Sequence, residues 1–247
     1  MSDHPTYPNP TIREALCEIH FVLPAEREWS SKIFGQFFKE VQDEFPQLEP
    51  SHQDASIKLQ AGPEGVMHQL VPPRQRMRYI NPDTNLLIQL SEGIFTVNVL
   101  PVYPGWAFMR DNMLRLWEKA NKLLTPINIS RIGLRYINFI PRKTLDEKPG
   151  DWLQQSSYIP GMVLSSLPGF LSRTEVKVSV ERRLIVTLAE STGQPPPIVF
   201  DIDCIVEKDI PVCNDLIINE LESLHDTEWD IFKSSINQRL EALLQEV

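Results

Sequence analysis

Cysteine and long apolar runs are both scarce in this sequence of 247 residues. The three cysteines, Cys17, Cys204 and Cys213, are odd in number and widely spaced, which excludes a dense disulfide framework and favours free thiols in a reducing compartment. No stretch approaches the roughly 18 consecutive apolar residues of a membrane-spanning helix. The polar, proline-rich start lacks a basic region followed by an apolar one. We therefore expect no signal peptide, a cytoplasmic location and no membrane partner.

Basic residues are also few. The chain has 24 Lys and Arg against 33 Asp and Glu, a formal net charge of −9. Nucleic-acid binding without sequence preference needs basic side chains that displace counterions, so the composition disfavours a nucleic-acid partner. The exception is PPRQRMRY, where Arg74, Arg76 and Arg78 alternate. In an extended segment they form either a basic stripe that contacts phosphate or an acidic partner, or an edge strand charged against aggregation.

Motifs of common catalytic and cofactor sites are missing. The sequence has no P-loop, G-x-G-x-x-G, G-x-S-x-G, paired C-x-x-C or H-E-x-x-H. His225 lies at the edge of an apolar helical stripe. It is interpreted as a packing residue, with a functional base or ligand as the alternative. The sequence therefore predicts no cofactor and favours a protein without catalytic activity.

Hydrophobic periodicity assigns most of the chain to strands of period two and helices of period 3.6. Residues 46–76 are predicted to be loops around one short strand. Within the last helical stretch, Thr227 is predicted to cap a second segment. The predicted strands are 14–23, three between 77 and 100, 129–140, 174–181, 182–191 and 198–206, and the predicted helices are 29–45, 106–124 and 214–244.

The order of these elements predicts an α+β fold. A β-α-β-β-β-α unit over residues 1–126 is followed by a second over 127–247, either as two domains or as one continuous domain. The units are expected to form antiparallel sheet with long helices packed on one face. This layout is similar in topology to the TATA-binding-protein class and to helix-grip folds, an analogy that carries no function with it.

Three stretches at the beginning, middle and end of the chain also resemble a known family. They are PNPTIREALCEIHF (residues 8–21), RIGLRYIN (Arg131 to Asn138) and LHDTEWDIF (Leu224 to Phe232). Together they resemble an uncharacterised, sporadically distributed family of bacterial proteins. The resemblance implies a bacterial cytoplasmic protein of similar length and brings no activity, substrate or catalytic residue with it.

Charged residues recur with period two in several predicted strands, opposite apolar ones. If these strands are neighbours, their carboxylates and guanidinium groups pair across the sheet and create a candidate binding face. Strand 174–181 adds Glu175, Lys177, Ser179 and Glu181 opposite Val176, Val178 and Val180. The candidate site residues are Glu18 and His20 of the first strand, Arg131 and Arg135 of the middle one, and Asp201 and Asp203 of the last.

Three interpretations of this face stay open. The first is a solvated surface of cross-strand ion pairs. The second, which we favour, is a binding or regulatory protein whose arginines grip a small anionic ligand or a protein partner, with a homodimer as a further expectation. The third is a nuclease-like hydrolase of phosphoesters in which Asp201, Asp203 and Glu14 or Glu18 hold a divalent cation.

Overall fold

The computed structural model describes residues 4–53, 56–62, 65–71, 74–166 and 168–246, and within 52–74 it describes the backbone alone. The side chain of Arg74, the first of the predicted basic stripe, therefore lies outside the described residues.

The chain folds as α+β around an open antiparallel sheet of nine strands, and this fold class confirms the prediction from periodicity. The strands lie side by side in the order β2-β5-β6-β7-β1-β8-β11-β10-β9, while β3 and β4 form a separate hairpin. Strand β1 is the middle one of the nine, and we call β1 and its neighbour β8 the central pair. The strands are β1 (Ile12–Val22), β2 (Gln47–Gln53), β3 (Ser56–Gly62), β4 (Gly65–Val71), β5 (Arg74–Asn81), β6 (Leu86–Ser91), β7 (Ile94–Val99), β8 (Asn128–Ile140), β9 (Leu171–Lys177), β10 (Arg182–Glu190) and β11 (Ile198–Ile210).

Five α-helices are formed by the described residues, and the long ones pack on one side of the sheet. That side carries the alternate apolar residues of the strands, such as Ala15, Cys17 and Ile19, which are fully buried. Burying these side chains against the helices is the main source of stability. The helices are α1 (Lys32–Val41), α2 (Trp106–Leu124), α3 (Gly161–Leu164), α4 (Asn214–Ser235) and α5 (Gln238–Leu244), with a short 3-10 helix at Pro149–Asp151.

Helix α2 shows how the sequence sets an element's bounds. It begins after Gly105, whose φ of 117° suits glycine, and a Cβ there would lie 2.9 Å from Oγ1 of Thr6. It ends at Thr125, which adopts the left-handed conformation and donates its backbone N–H to the carbonyl of Asn121. The residues of its predicted stripe that are completely buried are Met109, Met113, Leu116, Trp117, Ala120 and Leu124.

Of the prediction for residues 46–76, the one short strand, SIKLQ, is confirmed as part of β3, but the loops around it are wrong. Strands β2, β3 and β4 occupy most of this segment. Strand β2 pairs with β5 along its whole length and forms one edge of the sheet. The alternating arginines of β5 are therefore not on an edge strand. Arg76 donates to Gln89 Oε1 at 2.9 Å, and Arg78 lies 3.4 Å from Glu49.

The edge strand β9 also differs from the prediction. The strand predicted over 174–181 ends at Lys177, and its expected apolar face is not buried, since Val178 is 58% exposed and Val180 fully exposed. Strand β9 is the second edge of the sheet, and the helical layer does not cover these side chains.

The break in the last helical stretch also falls elsewhere. Thr227 lies inside α4 and donates its hydroxyl to the carbonyl of Ser223, so it caps nothing. The chain turns at Ile236, and the side chain of Asn237 caps α5 by accepting from the backbone N–H groups of Arg239 and Leu240.

The cysteines agree with the prediction of free thiols. All three cysteines are free. Cys17 and Cys204 are buried, and Cys213 is exposed. None of the described helices has both the length and the apolar character needed to cross a membrane.

Candidate functional site

The sheet surface turned away from the helices carries the charged residues that alternate with the core residues. We call this surface the charged face. In the register of the central strands, His20 lies opposite Arg131, which lies opposite Glu207. Arg135 lies opposite Asp203. The six predicted site residues therefore share one surface on three adjacent strands: Glu18 and His20 on β1, Arg131 and Arg135 on β8, and Asp201 and Asp203 on β11.

Glu18, His20 and Arg131 form the tightest cluster of the charged face. Arg131 Nη1 donates to Glu18 Oε1 at 2.8 Å, and His20 Nε2 lies 2.7 Å from the same oxygen. Burial by itself would raise the pKa of Glu18. The hydrogen bond from His20 and the positive charge of Arg131 outweigh burial and lower that pKa to about 2. Glu18 is thus a fixed negative charge that holds the guanidinium of Arg131.

The second arginine is committed in the same way. Arg135 forms a two-pronged pair with Asp201, with Nε donating to Oδ1 at 2.8 Å and Nη2 to Oδ2 at 2.7 Å. The hydrogen bond to Asp201 raises the pKa of Arg135, against the effect of burial. Both central arginines therefore already bind carboxylates of the protein.

Asp203 has a different position. It lies on β11, opposite Arg135. No described residue donates a hydrogen bond to its carboxyl group. Burial raises its pKa to about 6, although the charges of Arg131 and Arg135 pull the other way. Gly133 lies beside it: a Cβ at that glycine would be in van der Waals contact with Arg131 Nη2 at 3.6 Å and with Asp203 Oδ1 at 3.9 Å. Asp203 is the one carboxylate of the six site residues that lacks a donor.

A chain of polar side chains extends the charged face across the other half of the sheet. Asn98 Nδ2 donates to Glu14 Oε1 at 2.5 Å, and Gln89 Nε2 donates to Asn98 Oδ1 at 2.9 Å. Arg76 donates to Gln89, as described above. The face therefore carries carboxyl groups on β1 and β11 and guanidinium groups on β8 and, further out, on β5 and β10.

The opposite side of the sheet holds a second candidate, which we call the aromatic cavity. It is a space of about 70 Å³ between the sheet, α4, the start of α2 and the N-terminal segment. Tyr103 and Tyr136 share a hydrogen bond of 2.9 Å between their hydroxyl groups. Neither Lys nor Arg lines it. The lining is formed by His4, Pro5, Thr6, Tyr7, Pro10, Tyr103, Gly105, Trp106, Tyr136, His225, Glu228 and Trp229.

Two ionisable groups of α4 face this cavity without partners. Glu228 is only 6% exposed, and no described residue forms a hydrogen bond with its carboxyl group. Burial raises its pKa to about 8. His225 is equally buried, its Nδ1 has no hydrogen-bond partner among the described groups, and burial lowers its pKa to about 4. Near neutral pH both side chains are therefore mostly uncharged.

The N-terminal segment from His4 to Thr11 covers the cavity. His4 Nε2 is 2.8 Å from Asp226 Oδ1, and the ring of His4 stacks on Trp229 with centroids 4.9 Å apart. Asn9 Nδ2 donates to the carbonyl of Leu243 at 3.0 Å. The extended segment predicted only as a lead-in thus forms one wall of the aromatic cavity.

His4, His225 and Asp226 are near enough to suggest a metal site, with one ligand atom of each within 4.8 Å of the others. The two imidazole rings, however, are stacked, with centroids 5.3 Å apart and planes at 27°. Lone pairs of imidazole nitrogens lie in the ring plane. Stacked rings therefore direct them side by side and not toward a common ion. The donor set fits a metal poorly in this arrangement.

Sequence reasoning missed Glu228, Tyr103 and the partners of His225. One signal was present: Glu228 lies four residues after Leu224 and three before Ile231, on the buried stripe of α4. A carboxyl group at a position of this kind is costly to bury, and such groups are enriched at functional sites.

Comparisons with known proteins give no match: no family model, no curated protein and no solved structure is similar to this chain.

Proposed function

We propose that the chain consists of two tandem β-α-β-β-β-α units, residues 1–126 and 127–247, in a saddle-like arrangement similar to the TATA-binding-protein and helix-grip topologies. The strand order supports this. Outward from the central pair, β1 is followed by β7, β6 and β5, and β8 by β11, β10 and β9. Each set of four ends in a long helix, α2 or α4. Strand β2 and the hairpin β3–β4 are additions to the first unit.

We further propose that the protein is a non-catalytic binding protein that uses the charged face to hold a basic segment of a protein partner. The observation that carries this proposal is the excess of acid at the centre. The three central strands, β1, β8 and β11, contribute five carboxyl groups and two guanidinium groups to this face. The carboxyl groups are those of Glu14, Glu18, Asp201, Asp203 and Glu207, and the guanidinium groups are those of Arg131 and Arg135. Both guanidinium groups are already paired, and Glu207 accepts from Arg183 of β10 at 2.8 Å. Asp203 has no donor among the described residues. The unsatisfied charge is therefore negative and complements a Lys or Arg side chain.

In this proposal the arginines have a different role from the anion-gripping one expected from the sequence. Arg131 and Arg135 hold Glu18 and Asp201 in fixed positions and limit repulsion among the acids. The alternative, a metal-dependent phosphoester hydrolase, has less support, because both oxygens of Asp201 accept hydrogen bonds from Arg135. A divalent cation would have to displace that pair.

The test uses a synthetic peptide of six arginines and isothermal titration calorimetry at low salt. Replacing Glu14 by Gln and Asp203 by Asn together is expected to weaken binding at least about tenfold, since charge-assisted hydrogen bonds are lost. The matched control replaces Glu118 by Gln and Asp230 by Asn, two exposed acids of the helical side. This control pair changes the net charge equally and should leave binding nearly unchanged.

Equal weakening by both pairs would mean that only the overall charge of −9 attracts the peptide, and the proposal would fail. Amide chemical shifts of the titrated protein give a second readout. Shifts on β1, β8 and β11 support the charged face, whereas shifts confined to α2 and α4 contradict it.

A further inference from the structure

The aromatic cavity differs from the charged face in both position and chemistry. It lies on the helical side of the sheet, and its walls combine aromatic rings with a single carboxyl group. Five aromatic side chains surround the space: Tyr7, Tyr103, Trp106, Tyr136 and Trp229. Rings of this kind attract cations through the negative potential of their faces, most strongly when water is excluded.

Glu228 gives the cavity its polarity. A buried carboxyl group normally has a hydrogen-bond partner, and an exception calls for a physical explanation. Glu228 is buried, lines the space and has no such partner among the described residues. The cavity lining also contains no Lys or Arg that could neutralise a carboxylate. The missing partner is therefore a donor that enters from outside.

The size of the cavity limits that donor to a few heavy atoms. A water molecule occupies about 30 Å³ of the liquid, and an engineered cavity of about 150 Å³ accepts benzene. A space of about 70 Å³ lies between these cases. A nucleotide, a sugar or a peptide is too large to fit wholly inside it.

We propose that the aromatic cavity is a binding site for a small organic cation of the size of methylammonium, which donates to the Glu228 carboxylate and packs against the surrounding rings. Trp106 and Trp229 line the space with their rings stacked on His225 and His4. The hydroxyl pair of Tyr103 and Tyr136 offers oxygen acceptors for a second N–H. The stacked imidazoles of His4 and His225 form part of the wall and are not ligands of an ion.

Binding is coupled to loss of a proton from Glu228. The groups facing it are His225 on its own helix, Tyr136 and Cys204 on the sheet, Tyr103 in the loop before α2 and His4 in the N-terminal segment. None of them is a fixed positive charge, and burial raises the pKa of Glu228 to about 8. A cation therefore replaces a proton, and its affinity should increase as the pH rises from about 6 to about 8.

The experiment titrates the full chain with methylammonium chloride and measures the heat of binding by isothermal titration calorimetry. Glu228→Gln is the test variant. The variant keeps the shape of the neutral carboxyl group, and it should bind at least about tenfold more weakly because the charged acceptor is gone. The control is Asp230→Asn, two residues further along α4, which removes an exposed charge and should bind like the unchanged protein.

A second measurement on the unchanged protein does not depend on folding of the variant. In heteronuclear NMR spectra, the indole N–H signals of Trp106 and Trp229 are expected to shift on titration, while that of Trp117 in the distant core is not. No saturable response of the unchanged protein, or equal affinity of Glu228→Gln, would overturn the proposal. A response to Zn²⁺ but not to methylammonium would assign the site to a metal and also overturn it.

Discussion

At the scale of single residues, the described part of the chain has two carboxyl groups whose pKa values are strongly raised, Asp203 on the charged face and Glu228 in the aromatic cavity. Burial is the main cause in both cases. Each lacks a donor, and each lies where a ligand from outside can supply one. A folded protein keeps such unpaired acids at a cost in stability, which is typical of binding sites.

The free-energy cost of burying Asp203 can be measured, because it makes the free energy of unfolding depend on pH. Its pKa is about 6 in the folded protein and 3.8 without the fold, so between these pH values the folded state binds more protons than the unfolded state. Stability from this group therefore falls as the pH rises through that window. Asp203→Asn should raise the free energy of unfolding by about 1–2 kcal/mol at pH 7 and leave it unchanged near pH 3. Urea denaturation at the two pH values checks this.

Asp201→Asn is the matched comparison, because the same change on the same strand breaks the pair with Arg135. It should destabilise the protein at pH 7. If both substitutions destabilise it, Asp203 has an internal partner, and its proposed role on the charged face is contradicted.

The two candidate sites differ in how much the sequence predicts of them. The charged face could be predicted because side chains alternate along a strand, so Glu18 and Arg131 must share a surface once β1 and β8 are neighbours. The aromatic cavity could not, because its walls come from His4, Tyr103 and Glu228, which are distant in the chain. The apolar stripe of α4 indicates that Glu228 is buried, but no local pattern reports which residues surround it.

At the scale of elements, strong periodicity gave correct predictions and weak periodicity did not. The long helix α2 and the strands β1, β8 and β11 were predicted from clear apolar patterns. Strand β2, with the sequence QLEPSHQ, has no such pattern. It forms a strand because each of its residues pairs with a residue of β5. Its conformation is therefore set by its place in the sheet and not by the strand propensity of its own residues.

The short helix α5 depends on a cap that the sequence analysis placed ten residues too early. Asn237 satisfies the first free N–H groups of this seven-residue helix, which buries Leu240 and Leu244. Asn237→Ala should lower the free energy of unfolding by about 1 kcal/mol. Thr227→Ala, at the position predicted from the sequence, should cost clearly less because Thr227 caps no helix. Urea denaturation of both variants decides between the positions, and a larger loss for Thr227→Ala would contradict the assignment.

At the scale of the whole molecule, the central pair of strands joins the two proposed units. Strands β1 and β8 are paired at ten positions, from Ile12 opposite Asn138 to Val22 opposite Asn128. Cys17 and Leu134 are opposite each other in this pair and are both almost completely buried. Separating the units would leave two long central strands with free edges and would expose apolar surface on both.

This geometry makes a prediction about the chain cut after Pro126. Fragments 1–126 and 127–247 should each be poorly folded alone, since each has lost the partner of its central strand. Expressed together, they should form a one-to-one complex with the circular dichroism spectrum and cooperative melting of the intact chain. Gly133→Pro in the second fragment removes a backbone donor from the middle of β8 and should prevent the complex from forming. Two fragments that fold and stay apart at micromolar concentrations would show that the units are independent domains, and the continuous nine-stranded sheet would then be wrong.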